Sequence, residues 1–460
     1  MADMVKNSFL AWMHEERYHT RIEGYKSYDN YYNGDHDVNI PEKVLAALES
    51  ELGTVLNMCR LVVDMPVDYI VGGEVGVEAK EAPEAEALLN EVYESNHLFY
   101  EEMLKLVTIM CKKGDVFLKL YIQDEEIKVR VLRPDTVFPR YKTDDYMDMM
   151  YCVVKWAEED EDDPKIMKWH AQVFRPDSVE FWELASEQET EHTQWVFKRS
   201  EPNVLEFIPI VHVKNTVDDF EFGISDLQVM LSLQDALNKT ITDMMLTMDY
   251  TAFQRVFAFG VSTPRGEQLT MEPGKITEVP TAEGHLDTVP PGEISPFIQA
   301  LKEIKNQIIT VTQISKLSLV EPEVSHPASG FALKVRAMPL ERKCGKKMVV
   351  LKNRFAELNQ MIFKAAKYLK MGDYVGVKTK LHFTGGLPTD EQTQMATHEM
   401  ELRTRIKSKR TIMEERGIED VDAEIEQIDI ETNKEMEQLM AVKEHEIATE
   451  AKYSPKTTTR

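Results

Sequence analysis

With 460 residues, 43% of them hydrophobic, the chain is long enough to bury two or more cores. A total of 80 Asp and Glu against 54 Lys and Arg leaves a net charge of −26, which excludes a protein that wraps nucleic acid in an exposed basic stripe. Cys59, Cys111, Cys152 and Cys344 are far apart and form no CxxC pair, which argues against a disulfide framework or a zinc site and for a reducing cytosol. No apolar run follows a basic segment at the N-terminus, so no signal peptide is expected. The best apolar stretch, residues 61–71, is interrupted by Asp64 and Asp68 and is too short to span a bilayer.

In chain order, residues 1–23 read as an amphipathic helix whose apolar part is Phe9, Leu10, Trp12 and Met13. Tyr25, Tyr28, Tyr31 and Tyr32 then crowd a turn ending at Gly34, which fits aromatic packing around a loop. Helices are expected over 41–51, 56–69, 83–94 and 98–111, the second of them buried. From Gly114 the period changes to two. Val116, Leu118, Leu120 and Ile122 alternate with Phe117, Lys119, Tyr121 and Gln123, and Ile127, Val129 and Val131 alternate with charged residues. Asp124-Glu125-Glu126 is the expected hairpin connection. Further strands fit 136–141, 149–157, 166–174, 178–184, 193–198 and 210–214. The acidic run Glu158 to Asp163 reads as a solvated turn; a metal site there is the sharper alternative, but ion sites need ligands converging from a shaped loop. Helices followed by antiparallel strands make an α+β pattern.

Residues 220–369 alternate helix, compact excursion, helix, loop and long helix. Ser225 with Gln228 three residues on reads as a capping box, flanked by Ile224 and Val229 as a possible hydrophobic staple. The helix expected from there to about residue 254 carries Met230, Leu233, Leu237, Ile241, Met244 and Met248 on one face. Residues 255–296, rich in Pro and Gly, read as short strands and turns, including 256–261 and 274–279. Helix resumes over 297–315. Pro322 and Pro327 forbid a regular helix throughout 316–330. A long helical pattern over 331–369 is broken only by Pro339, and a strand is expected at 377–383. Thr389 with Gln392 forms a second capping box, followed by helices over 391–408, 411–416 and 421–449. The basic run Arg403, Arg405, Lys407, Lys409, Arg410 stands beside the acidic run Glu419, Asp420, Asp422, Glu424, Glu426, Asp429. These are two solvated helix faces or a complementary pair within or between subunits. The last residues, 451–460, are expected to lack order.

Catalytic signatures are missing. Around Gly345-Lys346-Lys347, position 340 is Leu where a phosphate loop needs Gly, and position 347 is Lys where it needs Ser or Thr; Gly274-Lys275-Ile276 fails likewise. There is no HExxH, GxSxG or H-x-E…CxxC pattern. His212 and His382 fall in strand patterns, as satisfied core or edge residues do. The expectation is a protein without enzymatic activity or cofactor.

Several local patterns, in order, resemble the portal proteins of tailed bacteriophages. They are Tyr31-Tyr32-Asn33-Gly34-Asp35-His36; Asn57 to Ile70 followed by Gly72-Gly73; Gly114 to Lys119; Ile208 to Asn215; Ser225 to Gln228; and Ala328 to Lys334. The resemblance implies a wing (1–222 and 331–388, the second part a long kinked helix and a strand), two stem helices (223–254 and 297–315), a clip (255–296), a tunnel loop (316–330) and a helical crown (389–450). It implies a homododecameric ring at one capsid vertex that conducts double-stranded DNA in packaging and ejection. Its partners would be the terminase large subunit, major capsid and scaffolding proteins, and head-completion adaptors, with no membrane; the chain would be made in the bacterial host cytoplasm. Under that reading Lys316, Leu317, Leu319, Val320, Glu321, Glu323, Ser325, His326 and Lys334 would line the channel. Arg265, Glu267, Lys275 and Glu278 would meet terminase or adaptor, and the Met230 to Met248 stripe would pack the stem. A different helix-rich virion adaptor or scaffold component, or an enzyme of DNA packaging, are the other classes left open.

Overall fold

The computed structural model describes residues 9–36, 55–143, 145–146, 148–159, 167–184, 195–216, 220–252, 256–259, 277–279, 285–288, 293–314, 330–384, 398–415, 421–434 and 436. The chain divides into two compact units, Met1–Gly386 and Leu387–Arg460.

The first unit opens with a 3-10 turn, Phe9–His14, and helix α1, Glu16–Asn33. The tyrosines expected in a turn lie within α1, and only Gly34, at φ +93°, ends it. A left-handed residue at that position costs a glycine little, because it has no Cβ to clash. The helix expected at 41–51 lies outside the described residues. Helix α2, Met58–Val71, is capped by Asn57, whose side chain accepts from the Arg60 amide. Strand β1, Val75–Ala79, and helices α3, Pro83–Ser95, and α4, Glu101–Lys113, follow.

Gly114 ends α4 at φ +88° and the chain turns directly into β2, Asp115–Gln123. Strand β3, Glu126–Leu132, pairs with β2 so that Gln123 faces Glu126. The connection is therefore the two residues Asp124 and Glu125, both at positive φ, as a tight hairpin requires; Glu126 belongs to the strand. Strand β9, Ile210–Lys214, joins the other edge of β2. This three-stranded sheet packs with α2, α3 and α4 in the main core, where Ile127, Val129 and Val131 point inward and Arg130 outward.

A second sheet is a five-stranded antiparallel meander: β4 Val137–Tyr141, β5 Met149–Glu159, β6 Met167–Phe174, β7 Ser178–Leu184 and β8 Trp195–Pro202. One face buries Phe138, Val153, Val173, Trp182 and Trp195 with Leu10, Met13 and Tyr18. Other positions of the meander, Val137, Cys152, Val154 and Phe174, cluster with Phe117, Ile208 and Ile210. Glu158 and Glu159 complete β5; the rest of the acidic run lies outside the described residues.

Helix α5, Leu231–Ala252, leads to a small sheet of β10 Val256–Phe259, β11 Thr277–Val279 and β12 His285–Thr288, ordered β11-β10-β12. Helix α6, Ser295–Thr312, returns and packs on α5. α5 starts five residues later than the capping box predicts: residues 226–230 form turns, Gln228 is exposed, and no reciprocal box or staple forms. The segment is held instead by tertiary contacts. The Ser225 hydroxyl donates to the Lys112 carbonyl and accepts from the Leu227 amide, while the Asp226 amide donates to the Cys111 carbonyl. α7, Gly330–Tyr368, runs helically through Pro339 for 39 residues, roughly 60 Å at 1.5 Å each. The break expected at Pro339 is absent from the helical assignment. The last strand, β13 Thr379–Phe383, pairs antiparallel with β1, about 300 residues back, with Val77 opposite Leu381.

In the second unit the described helical residues are 398–403, 421–434 and α8, Lys409–Glu415. Arg410 pairs with Asp422 at 3.1 Å and Lys407 with Glu401 at 3.4 Å. Arg410 joins the basic and acidic runs within one chain, but both partners are exposed, and such pairs contribute little.

Candidate functional site

Three of the segments singled out in the sequence, 114–119, 208–215 and 225–228, meet at one place, where the β2–β9 sheet hands the chain to α5, with Gly223 just ahead of the third. Gly114 and Gly223 touch backbone to backbone. A Cβ on Gly223 would lie 2.2 Å from the Gly114 carbonyl oxygen, and a Cβ on Gly114 would lie 2.7 Å from that of Gly223. Neither position has room for a side chain.

Asp115 follows Gly114 and is fully buried. Its Oδ1 accepts from the Gly223 amide at 2.7 Å and from His212 Nε2 at 2.7 Å; its Oδ2 accepts from the Tyr25 hydroxyl. His212 stacks on Phe117 at 4.3 Å, and its Nδ1 accepts from the Tyr141 hydroxyl. Burial pushes the His212 pKa down, and Asp115 only partly opposes this, so the imidazole is neutral and Nε2 carries its hydrogen. Burial, with the Asp115 charge, pushes Tyr25 well up, and burial does the same for Tyr141. All donors to this carboxylate are neutral.

A second buried carboxylate, Asp226, sits beside it. Asn215 links the two: its amide donates to the Gly114 carbonyl at 2.8 Å, and its side chain donates to the Ile224 carbonyl at 2.8 Å and to Asp226 at 3.0 Å. Asp226 is held by two ammonium groups from α7, Lys347 at 2.9 Å and Lys343 at 3.1 Å. Burial works against its charge, but Lys347 and Lys343 outweigh that and hold its carboxyl below the ordinary range. Burial likewise opposes the Lys347 ammonium, yet Cys111 and Asp226 raise its pKa.

The Tyr31 to His36 motif ends at a third cluster, on the buried face of α5. Gln234 donates to the Leu56 carbonyl at 2.7 Å and accepts from the Met58 amide at 3.0 Å. Asn238 accepts from the Leu56 amide at 3.1 Å and donates to His36 Nδ1 at 2.7 Å. His36 Nε2 then donates to the Tyr31 carbonyl at 2.8 Å. Gln234 and Asn238 thus bind the backbone of residues 56–58 much as a neighbouring strand would. Sequence reasoning passed over both. Their signal was a polar row at steps of four, Gln234, Asn238 and Thr242, running beside the apolar stripe; all three are buried.

Of the expected packing stripe, Met230, Leu237 and Ile241 are buried, Leu233 and Met244 half-buried, and Met248 is 44% exposed. Lys316, Leu317, Leu319, Val320, Glu321, Glu323, Ser325 and His326 lie outside the described residues, as do Arg265, Glu267 and Lys275. Lys334 is in α7 and Glu278 in β11, opposite Ala258; their side chains are not described. Among the described residues, the assigned channel and clip positions therefore form no site with measurable geometry.

The polar junction is tied together by bonds among its own described residues; Asp226 Oδ2 lies at ion-pair distance from Lys343 and Lys347 without an aligned hydrogen bond. The model for "Phage portal protein, SPP1 Gp6-like" matches residues 14–438. This chain belongs to that portal protein family. No curated protein matches it. Among solved structures it is similar to a chain titled "Neck of empty GTA particle computed with C6 symmetry", at 12% identity and a TM-score of 0.43, covering 82% of this chain and 94% of that one. As a portal-family protein it has a structural role, and the junction is what joins its β2–β9 sheet to the helical hairpin of α5 and α6.

Proposed function

We propose that the chain is one subunit of a twelve-membered ring at a single capsid vertex, through which double-stranded DNA enters during packaging and leaves during ejection. In this reading α5 and α6 are the stem and the β10–β12 sheet between them is the clip that docks the terminase and later the head-completion proteins. Residues 316–330 collar the DNA at the narrowest point, and 389–450 form the crown. Residues 1–222 and 331–388 form the wing against capsid and scaffolding proteins.

The observation that carries this reading is the connectivity around the junction. A helical hairpin with a small sheet between its two helices is rooted by buried polar bonds in an α+β body, and the chain leaves it for a 39-residue helix. A carrier of DNA needs such rigidity, and it needs no catalytic group. Net charge of −26 supports a loose fit: a wall that is acidic on average repels phosphates and lets them slide.

Negative-stain imaging of the purified protein tests the ring, with closed rings of twelve expected. A discrete monomer or an open filament would remove the channel. The loop is tested by deleting residues 320–325: rings should still form, while proheads carrying them should package or retain less DNA.

A further inference from the structure

The stem hairpin touches α7 at both of its ends. At its start, Asp226 is bound by Lys347 and Lys343. At its finish, Lys343 also donates to the Thr312 carbonyl at 3.0 Å. Thr312 is the last residue of α6, followed by Gln313 in the left-handed conformation, so its carbonyl has no partner within the helix. An ammonium there caps an orphan acceptor and faces the negative end of the helix dipole.

Charge arithmetic explains why one carboxylate serves two lysines. Asp226 neutralises one ammonium. The remaining positive charge is met by the Thr312 carbonyl and by Asn215 Oδ1, which accepts from Lys347. The two lysines are four residues apart, on one face of α7. Their side chains keep only 12% and 4% of their exposure, whereas the neighbouring Lys346 is exposed.

We propose that Lys343 and Lys347 are positioning residues that clamp both feet of the stem hairpin to the long helix α7, and so fix the hairpin's base relative to that helix. Lys343 closes a span of 31 residues with one side chain. Because it touches both feet at once, neither can shift without giving up a bond shared with the other. A force on the hairpin is then passed to α7 and not absorbed at its base. The clamp stands on the contacts themselves; only its consequence for DNA rests on the channel reading.

The test uses the full chain in its assembled state. Lys343→Gln should speed amide hydrogen exchange over residues 309–314 by about tenfold or more, with 115–123 and 210–214 unchanged. Lys347→Gln should act chiefly over 225–230. Unchanged exchange at 309–314 in Lys343→Gln overturns the clamp. Should that variant fail to fold, acylation of the wild-type protein decides: Lys346 should react readily and Lys343 and Lys347 slowly, and equal rates overturn the clamp. In proheads, Lys343→Gln should lower packaged or retained DNA. Faster exchange together with normal packaging and retention overturns the positioning role. The channel reading fails separately, if rings lacking residues 320–325 package and retain DNA normally, and the exchange result is untouched by that failure.

Discussion

Asp115 and Asp226 are two buried carboxylates on either side of Asn215, and the fold satisfies them differently. Asp115 faces neutral donors: a backbone amide, a tyrosine hydroxyl and an imidazole. Asp226 faces two ammonium groups. The neutral arrangement joins elements of the same body: α1, β2, β9 and the segment leading to α5. The ionic arrangement joins the α5–α6 hairpin to α7, which the chain reaches only after leaving that hairpin. Hydrogen bonds to neutral donors hold a geometry through direction and length, while an ion pair adds strength that persists through small displacements. The comparison assigns directional positioning to the Asp115 side and strength of attachment to the Asp226 side.

Removing the carboxylate that faces two buried ammonium groups should have the largest effect. Asp226→Asn leaves both without a counter-charge, and breaking a buried ion pair from one side typically costs about 3 to 5 kcal/mol. Equilibrium unfolding in urea should show this loss, and a cost below about 1 kcal/mol would mean that water reaches the lysines.

Asp115→Asn should cost less, about 1 to 3 kcal/mol, because only hydrogen bonds are lost or mismatched. The new amide would point donors at groups that themselves donate. If Asp115→Asn proved as damaging as Asp226→Asn, the contrast between neutral and ionic anchoring would collapse.

The smallest effect concerns pH. The folded pKa values of both His212 and Asp226 are lowered, from 6.5 and 3.8 respectively. A lowered folded pKa means stability that is complete above the unfolded value and lost as pH falls toward the folded one. The Asp115 side should therefore weaken first, below about 6.5, as the unfolded chain takes up the His212 proton. The Asp226 side should weaken only below about 3.8. His212 is also faced by Tyr141, Lys214 and Arg21. Replacing it with Gln should flatten the pH dependence of the unfolding free energy, measured in urea between about pH 7 and 5, by at most about 1.4 kcal/mol per unit. An unchanged slope would show that other histidines supply it.

Much of the α+β body was legible. The strands Ser178–Leu184 and Ile210–Lys214 fall where alternation and β-branched runs place them. The helix at Met58–Val71 and the long helix through 330–368 follow their apolar periods. Other features were not legible. The reciprocal capping box at Ser225 does not form: its Oγ accepts from the Leu227 amide and not from that of Gln228, and its hydrogen goes to the distant Lys112 carbonyl. The tyrosines before Gly34 were helical because α1 packs them against α2 and Asp115, which no local pattern states. The short strand His285–Thr288 carries no alternation long enough to read.

By itself, then, the sequence determined the period of the longer helices and strands, the absence of a phosphate-loop motif and the order of motifs that marks a portal-family chain. Those properties depend on residues within a few positions of each other, or on residue types alone. Only the tertiary structure decided that Val75–Ala79 pairs with Thr379–Phe383, that Gly114 and Gly223 meet without room for a Cβ, and that Lys343 reaches Asp226 and Thr312 together. Each of these joins groups far apart in the chain. Their partners are chosen by packing and by the cost of leaving a buried charge or amide unpaired, and neither is visible until the fold has closed.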